Sequence, residues 1–191
     1  MWPMPEFSTS LAHHLLVALP SLAEAPFARS VALICQHDEN GTMGVLVNQP
    51  TDYTIGEVLA QMDITTDDEA LRVRVVLNGG PVHPERGFVI HDDARAWESS
   101  LPVGDGLFLT TSRDILEAMA RGDGPANALV TLGCAGWGEG QLEGELAQPG
   151  WFISKADPSR LFGMEPEDRW AGAFELEGID PAMLAISSGH A

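Results

Sequence analysis

The chain has 191 residues, and its 28 Asp and Glu against 10 Lys and Arg give a formal net charge of −18. Its length favours one domain whose core needs neither metals nor disulfides, and the 45% apolar and 20% charged residues are typical of a globular rather than a disordered protein. Nucleic-acid affinity depends on cationic side chains that displace counterions, so we do not expect this acidic chain to bind nucleic acid directly.

Cysteine usage and hydropathy point to the cytoplasm. The two cysteines, Cys35 and Cys134, are too few for a secreted disulfide framework. No Lys or Arg precedes Arg29, so the N-terminal segment lacks the basic start of a signal peptide. The longest apolar runs, about five residues, are far shorter than a membrane-spanning helix requires. We therefore expect a cytoplasmic protein without a membrane segment.

The first predicted elements are strands. Residues 1–13 carry Pro, Ser and Thr and are predicted to be a flexible lead-in to one domain over residues 14–191. The apolar, β-branched segments that follow predict three strands, at residues 14–19, 30–36 and 43–48. The Asn-Gly pair in the turn between the last two strands favours a hairpin.

A helix follows the hairpin. Pro50 is expected to end the third strand. Thr54 and Glu57 have the spacing of a capping box, which predicts a helix that begins just after Thr54. An acidic loop over residues 63–69 then leads to a predicted strand at residues 72–77.

The middle of the chain alternates strands with one irregular stretch and one helix. Strands are predicted at residues 87–91 and 106–111, and the segment between them, residues 92–104, is predicted to be an irregular surface excursion. Thr111 or Ser112 is predicted to cap the helix that follows.

The last third is richer in helices. A strand at residues 127–132 leads through a glycine-rich loop to a helix at about residues 139–147, and a short strand follows at residues 151–154. Pro158 and Pro166 are each placed to open a helix, since proline suits the first helical position. Strands early and helices late predict an α+β fold with a mixed sheet.

Several predicted strand ends carry glycine, histidine, arginine or tryptophan. We predict that these ends converge on one rim that binds a small ligand or a partner protein. The predicted rim residues are His37, Gly79, Gly80, Pro81, Arg86, His91, Gly136, Trp137 and Gly138.

Cys35 and His37 offer an alternative, catalytic interpretation. Two residues apart on a strand, they would share one face with Cα atoms about 6.6 Å apart. A thiol beside an imidazole is the pattern of a nucleophile with a lowered pKa, as in a thiol-dependent hydrolase or redox enzyme. A cysteine at the end of an apolar strand is, however, more often a small core residue.

Metal and phosphate chemistry are not predicted. The potential zinc ligands lack paired Cys-x-x-Cys or His-x-x-x-His spacing, so neither a metal nor a cofactor is expected; these residues are Cys35, His37, His83, His91 and Cys134. The run Gly136–Gly140 lies between a strand and a helix, as a phosphate-binding loop would, but Glu139 and Glu143 would repel phosphate there. Arg113, one of few cations, is expected to pair with a neighbouring carboxylate rather than to bind an anion.

Seven segments, taken together, resemble the YqgE/AlgH family. They occur in the same order and with similar spacing from about residue 15 onward: Leu16–Pro20, Arg29–His37, Gly44–Asn48, Gly79–Val82, Arg86–His91, Thr110–Ser112 and Ala135–Glu143. Gln36, Glu85 and Cys134 depart from the family pattern.

The resemblance implies an α+β fold with a partly barrel-like sheet flanked by helices, and it supplies no established activity. Some members are described as transcriptional regulators of exopolysaccharide production. The sequence has no basic recognition helix. Its leading interpretation is therefore a non-enzymatic regulatory module that binds a ligand or protein and acts indirectly on transcription.

Overall fold

The computed structural model describes residues 10–22 and 27–183. Its strands are β1 His14–Ala18, β2 Val31–Asp38, β3 Gly41–Leu46, β4 Pro50–Thr54, β5 Val75–Asn78, β6 Val82–His91, β7 Ser100–Gly104, β8 Leu107–Thr110, β9 Ala128–Trp137 and β10 Trp151–Lys155. Its helices are α1 Ile55–Gln61, α2 Glu69–Arg72, α3 Arg113–Ala120, α4 Gln141–Leu146, α5 Pro158–Gly163 and α6 Arg169–Leu176, with a 3-10 turn at Pro166–Asp168.

The strands form one branched sheet. Its main path runs β10-β1-β2-β3-β9-β6-β8-β7, with β5 paired to β9 and β4 paired to β5. The β5–β9 pair is parallel and the other pairs are antiparallel. The path curls until β7 approaches β2, and a hydrogen bond of 3.1 Å joins His13 Nε2 to the Pro102 carbonyl across the gap. The predicted α+β class, with a mixed and partly barrel-like sheet in one domain, is confirmed.

Strand β1 and the first five residues of β2 are buried on both faces, which explains why these segments are apolar. In β1, Leu15 and Val17 point into the cluster inside the curl, whereas Leu16 and Ala18 belong to an outer cluster. Helix α4 covers that outer cluster with Leu142. This alternation follows from the two-residue period of a strand, so both faces of β1 bury apolar side chains.

Side chains cap α1 and α5, whereas Ser112 occupies the predicted N-cap position of α3 without a side-chain capping hydrogen bond. The Thr54 hydroxyl accepts a hydrogen bond of 3.3 Å from the Glu57 amide at the start of α1. The Asp157 carboxylate accepts one of 3.1 Å from the Ser159 amide, one residue after the N-terminal proline of α5. Such caps satisfy backbone N–H groups that have no partner within the helix.

Three predictions about the strands are wrong. Pro50 begins β4 instead of ending a strand, and residues 100–104 of the predicted irregular excursion form β7. Both are edge strands, where proline costs no ladder hydrogen bond. The predicted glycine-rich loop is largely the second half of β9, which runs to Trp137. Gly133 allows the backbone of β9 to pack closely against Gly80, whereas a Cβ at Gly136 would meet open space.

Arg169 connects helix α6 to the sheet from a buried position. Its guanidinium donates hydrogen bonds to the carbonyls of Leu161, at 2.9 Å, and Val47, at 2.6 Å. Burial lowers the pKa of Arg169, and the nearby Glu165 and Glu167 act in the opposite direction. The side chain thereby satisfies one carbonyl of α5 and one just beyond β3.

Part of the predicted lead-in is anchored to the sheet. The Leu11 amide donates a hydrogen bond of 2.9 Å to His37 Nδ1, and the Ser10 hydroxyl donates one of 3.2 Å to the His37 carbonyl. The rest of the predicted lead-in, residues 1–9, lies outside the described residues. No helix in the described part of the chain has the length and apolar character to cross a membrane.

Candidate functional site

A groove of about 440 Å³ lies on the outer face of the sheet, between α1 and the start of α3. Its floor comes from three adjacent strands: Gly87 and Val89 of β6, Thr110 of β8, and Val130 and Leu132 of β9. Val89 is opposite Thr110 on one side and Val130 on the other, so their side chains share one face. The register of the sheet therefore builds a largely apolar floor.

The walls combine apolar side chains with a polar rim. Val58 of α1 and Met62, which follows that helix, face the groove from one side, and Leu116 of α3 faces it from the other. The rim carries two carboxylates, one cation and one phenol: Glu57, Glu85, Arg113 and Tyr53.

Gly87 keeps the floor open. It has an ordinary, non-left-handed φ, and a Cβ added to it would meet no atom within 4 Å. Its neighbours in the register, such as Leu132, carry full side chains. Glycine at this strand position therefore leaves unfilled space in the groove rather than relieving a backbone clash.

His91 lies beside the floor, two residues after Val89 on β6, and is fully buried. Its Nδ1 accepts a hydrogen bond of 3.1 Å from the Asp93 amide, so in the neutral ring Nε2 carries the proton. That nitrogen lies 2.7 Å from Thr110 Oγ1, which in turn donates to Ser100 Oγ at 2.9 Å. Burial lowers the pKa of His91, while Asp93 and Asp92 raise it and Arg95 lowers it. This neutral His91 fixes the Thr110 hydroxyl.

His37 and Trp137 come together at the opposite end of the sheet. Thr42 of β3 pairs with His37 on one side and with Trp137 on the other. His37 Nε2 forms a hydrogen bond with Glu143, and Trp137 Nε1 donates one of 2.8 Å to Glu145. Gly136 and Gly138 flank Trp137 and are exposed.

The predicted convergence of all these residues on one rim is wrong. His91 pairs with Ala128 at the first residue of β9, whereas Trp137 is the last residue of that strand. Nine steps of about 3.3 Å place the two ends roughly 30 Å apart along the strand. Because β6 is antiparallel to β9, the histidine at the end of β6 is directed away from Trp137.

Gly79 and Gly80 are buried at a strand junction and do not form a rim. A Cβ on Gly79 would overlap the Gly133 carbonyl, and one on Gly80, whose φ is +144°, would overlap the Cys134 backbone. The Gly79 amide and carbonyl bond to Leu132 and Leu46, at 2.7 Å and 2.8 Å. These glycines allow β3, β5, β6 and β9 to meet.

Pro81 and Arg86 are exposed beside this junction. The register of β6 with β9 is interrupted between Val82 and Gly87, so the intervening residues bulge away from the sheet. The Arg86 guanidinium lies 5.7 Å from the centre of the Phe88 ring. The bulge contributes Pro84 and Glu85 to the groove, whereas the predicted residues Pro81 and Arg86 do not line it.

The geometry does not support the predicted Cys35–His37 pair. A β-bulge between Ile34 and Gln36 breaks the two-residue period. Cys35 consequently belongs to the inner cluster, whereas His37 lies in the row of Trp137 in the outer cluster. Burial, with a smaller contribution from Cys134, raises the pKa of Cys35 to about 12, so the thiolate is not the resting form.

Cys35 and Cys134 are both buried free thiols. Strand β3 separates their strands, which places the two backbones about 9.5 Å apart. A disulfide needs Cα atoms within about 7 Å, so the two thiols are not a redox pair in this fold.

We expect both thiols to be inert toward a disulfide reagent at pH 8 in the folded protein. Denaturant should expose both at the rate of global unfolding, because each lies in the closed inner cluster. The release of thionitrobenzoate with and without guanidinium measures this. Rapid labelling of Cys35 in native protein would contradict the buried assignment.

A family model described as AlgH-like matches residues 15–182. The chain belongs to this AlgH-like family. A UPF0301 protein of Stenotrophomonas maltophilia is 72% identical over 98% of this chain and its own full length, and one of Xanthomonas euvesicatoria is 65% identical with the same coverage.

Two solved structures are also similar. The solution structure of the AlgH protein from Pseudomonas aeruginosa has a TM-score of 0.79, 38% identity and 96% coverage of each chain. A crystal structure of a protein from Corynebacterium diphtheriae has a TM-score of 0.74 at 21% identity, with 97% of this chain and 99% of that chain covered, and shows the likeness of fold alone.

The AlgH-like resemblance contains a signal for the groove that the sequence interpretation did not use. Thr110–Ser112 was one of the seven segments, and it forms a corner of the groove together with Arg113. Tyr53 and Gln61, which also line it, carry no motif. Within the described ranges, no three His, Cys, Asp or Glu side chains are grouped to hold a metal.

Proposed function

We propose that this AlgH-like protein is a non-enzymatic, cytoplasmic regulatory module that binds a ligand in the groove between α1 and α3. One observation carries the proposal: the groove is preformed, about 440 Å³ in volume, and its apolar floor is left open by Gly87. Pockets of a few hundred Å³ with an apolar lining and a few polar groups are typical small-molecule sites.

The side chains around the groove support binding rather than catalysis. Among the described lining residues, the Thr110 hydroxyl faces the protonated Nε2 of His91, which is therefore not placed to act as its base. The Ser112 hydroxyl donates a hydrogen bond of 2.5 Å to the Asp114 carboxylate. That carboxylate also accepts the Glu98 amide at 2.8 Å and thus fixes the start of α3. Ser112 and Asp114 therefore have a structural role at the helix terminus.

An effect on transcription would be indirect in this proposal. The net charge of −18 opposes contact with DNA, so ligand occupancy would act by changing the affinity for a partner protein. The surface around His37 and Gly136–Gly138, at the other end of β9, remains a predicted partner contact.

Gly87→Leu tests the groove directly. The new side chain should fill the floor without a clash, because its Cβ enters open space at an ordinary φ. With phenylbutanol as the probe, we expect amide NMR shifts around Val89 and Val130 in the unmodified protein and at least a tenfold loss of affinity in the variant.

The matched control is Gly136→Leu. Gly136 is also a strand glycine with open space at its Cβ position, but it lies outside the groove. This variant should bind phenylbutanol normally, and both variants should keep the thermal midpoint of the parent. Probe-induced shifts that persist in Gly87→Leu, or that occur elsewhere, would place ligand binding outside the groove.

A further inference from the structure

We propose that the occupant of this groove is a small organic cation, in which an apolar body carries a protonated amine or quaternary ammonium group. The inference rests on the proposed binding function and adds the chemical class of the ligand. It comes from the charges and the aromatic ring that surround the apolar floor.

The rim offers two carboxylates to a positive charge. Glu57 lies in the first turn of α1, and Glu85 lies on the bulge of β6. Glu57 accepts a hydrogen bond of 3.3 Å from the Thr54 hydroxyl, whereas no hydrogen bond or ion pair to another described residue engages the Glu85 carboxylate. Carboxylates on both α1 and β6 can therefore receive N–H groups or approach an ammonium ion.

Tyr53 adds an aromatic surface to the same rim. It is 51% exposed, which is high for so large a side chain, and it lines the groove close to the first turn of α1. Organic ammonium ions bind favourably over aromatic faces, and the interaction strengthens as the cation is desolvated. An exposed ring beside two carboxylates is therefore suited to a cation rather than to an anion.

Arg113 does not reverse this preference. Its Nε lies 3.4 Å from Glu117 Oε1, one turn further along α3, so a carboxylate already offsets its charge. The net charge of −18 also attracts cations toward a cleft in the protein and repels anions. Both local pairing and the overall field favour a positive ligand.

The floor determines the rest of the ligand. Val89, Val130 and Leu132 offer no hydrogen bond through their side chains, so they stabilise only an apolar group that displaces water from them. An inorganic cation or a fully polar amine would leave this surface unused. The combination therefore selects an amphiphilic cation small enough for about 440 Å³.

Three probes that share a phenyl ring on a four-carbon chain and differ in the charge of the head group test the inference: phenylbutylammonium, phenylbutanol and phenylbutyrate. NMR titration of the full chain at neutral pH should give affinities in that order, with the cation about tenfold above the alcohol and the anion weakest. High salt should reduce the advantage of the cation, because the carboxylates are on the rim and exposed to screening.

A variant in which both rim carboxylates are replaced by amides separates this inference from the function on which it rests. Glu57→Gln with Glu85→Gln should remove most of the cation's advantage and leave phenylbutanol binding unchanged. The matched control, Glu39→Gln with Glu139→Gln, alters the net charge equally at exposed positions outside the groove and should retain the advantage.

The outcomes are distinct. If phenylbutanol and phenylbutyrate bind the groove as well as the cation does, the charge class is wrong and the binding function stands. If a lysine-containing peptide shifts the groove amides at concentrations at which phenylbutylammonium does not, a small cation is the wrong occupant. If none of the probes shifts those amides, the proposed function itself fails.

Discussion

Gly80→Ala is expected to cause the largest loss of stability. The residue has φ +144°, a conformation that side chains rarely adopt, and the added Cβ would overlap the backbone of Cys134. Strain and overpacking of this kind together cost about 3–5 kcal/mol. A domain of this size has a free energy of unfolding of only about 5–15 kcal/mol, so the loss is a large fraction of it. Urea unfolding followed by circular dichroism measures the change.

Gly106→Ala is the matched control for backbone strain. Gly106 also has a left-handed φ, +72°, but no atom lies within 4 Å of its Cβ position. This variant should lose only about 1–2 kcal/mol, the cost of the conformation alone. If the two variants unfold at the same urea concentration, close packing of Gly80 on β9 does not determine stability.

Arg169→Ala is expected to have the second largest effect. Arg169 is 7% exposed and donates hydrogen bonds to the carbonyls of Leu161 and Val47. Its removal leaves two carbonyls without their donor in a largely closed space and also creates a cavity. Each unsatisfied buried group costs about 1–3 kcal/mol, so a total near 3–5 kcal/mol is expected.

Arg160→Ala is the control for Arg169. Arg160 also donates to a backbone carbonyl, that of Gly172, at 2.9 Å, but its side chain is 37% exposed. Water can replace its contacts, so the loss should stay near 1 kcal/mol. Differential scanning calorimetry of both variants measures the contrast. A small loss for Arg169→Ala would show that water reaches the two carbonyls and that the side chain is dispensable.

Helices and strands could be predicted where two local sequence signals agree. At Thr54 and Glu57, cap and apolar periodicity agree, and α1 begins as predicted. The apolar run at residues 31–35 predicts burial on both faces, and the two sides of β2 do belong to different core clusters. Local rules of this kind depend on near neighbours in the chain, which the sequence shows directly.

Long-range register could not be predicted in the same way. The bulge at Cys35 follows from the pairing of β2 with β3, and it alone separates Cys35 from His37. Likewise, no sequence pattern near His91 indicates that this residue pairs with Ala128 rather than with the Trp137 end of β9. The groove was not predicted because its floor comes from β6, β8 and β9. The alignment of these strands depends on long-range pairing, which no local sequence pattern shows.

The central strand β9 also determines the order in which the fold can be completed. It pairs with β6 along one edge and with β5 and then β3 along the other. During synthesis, β3 and β6 consequently remain without this partner until residues 128–137 have left the ribosome. Such long-range closure slows folding and leaves apolar strand edges exposed in the nascent chain, so chaperone capture before that point is the expected consequence.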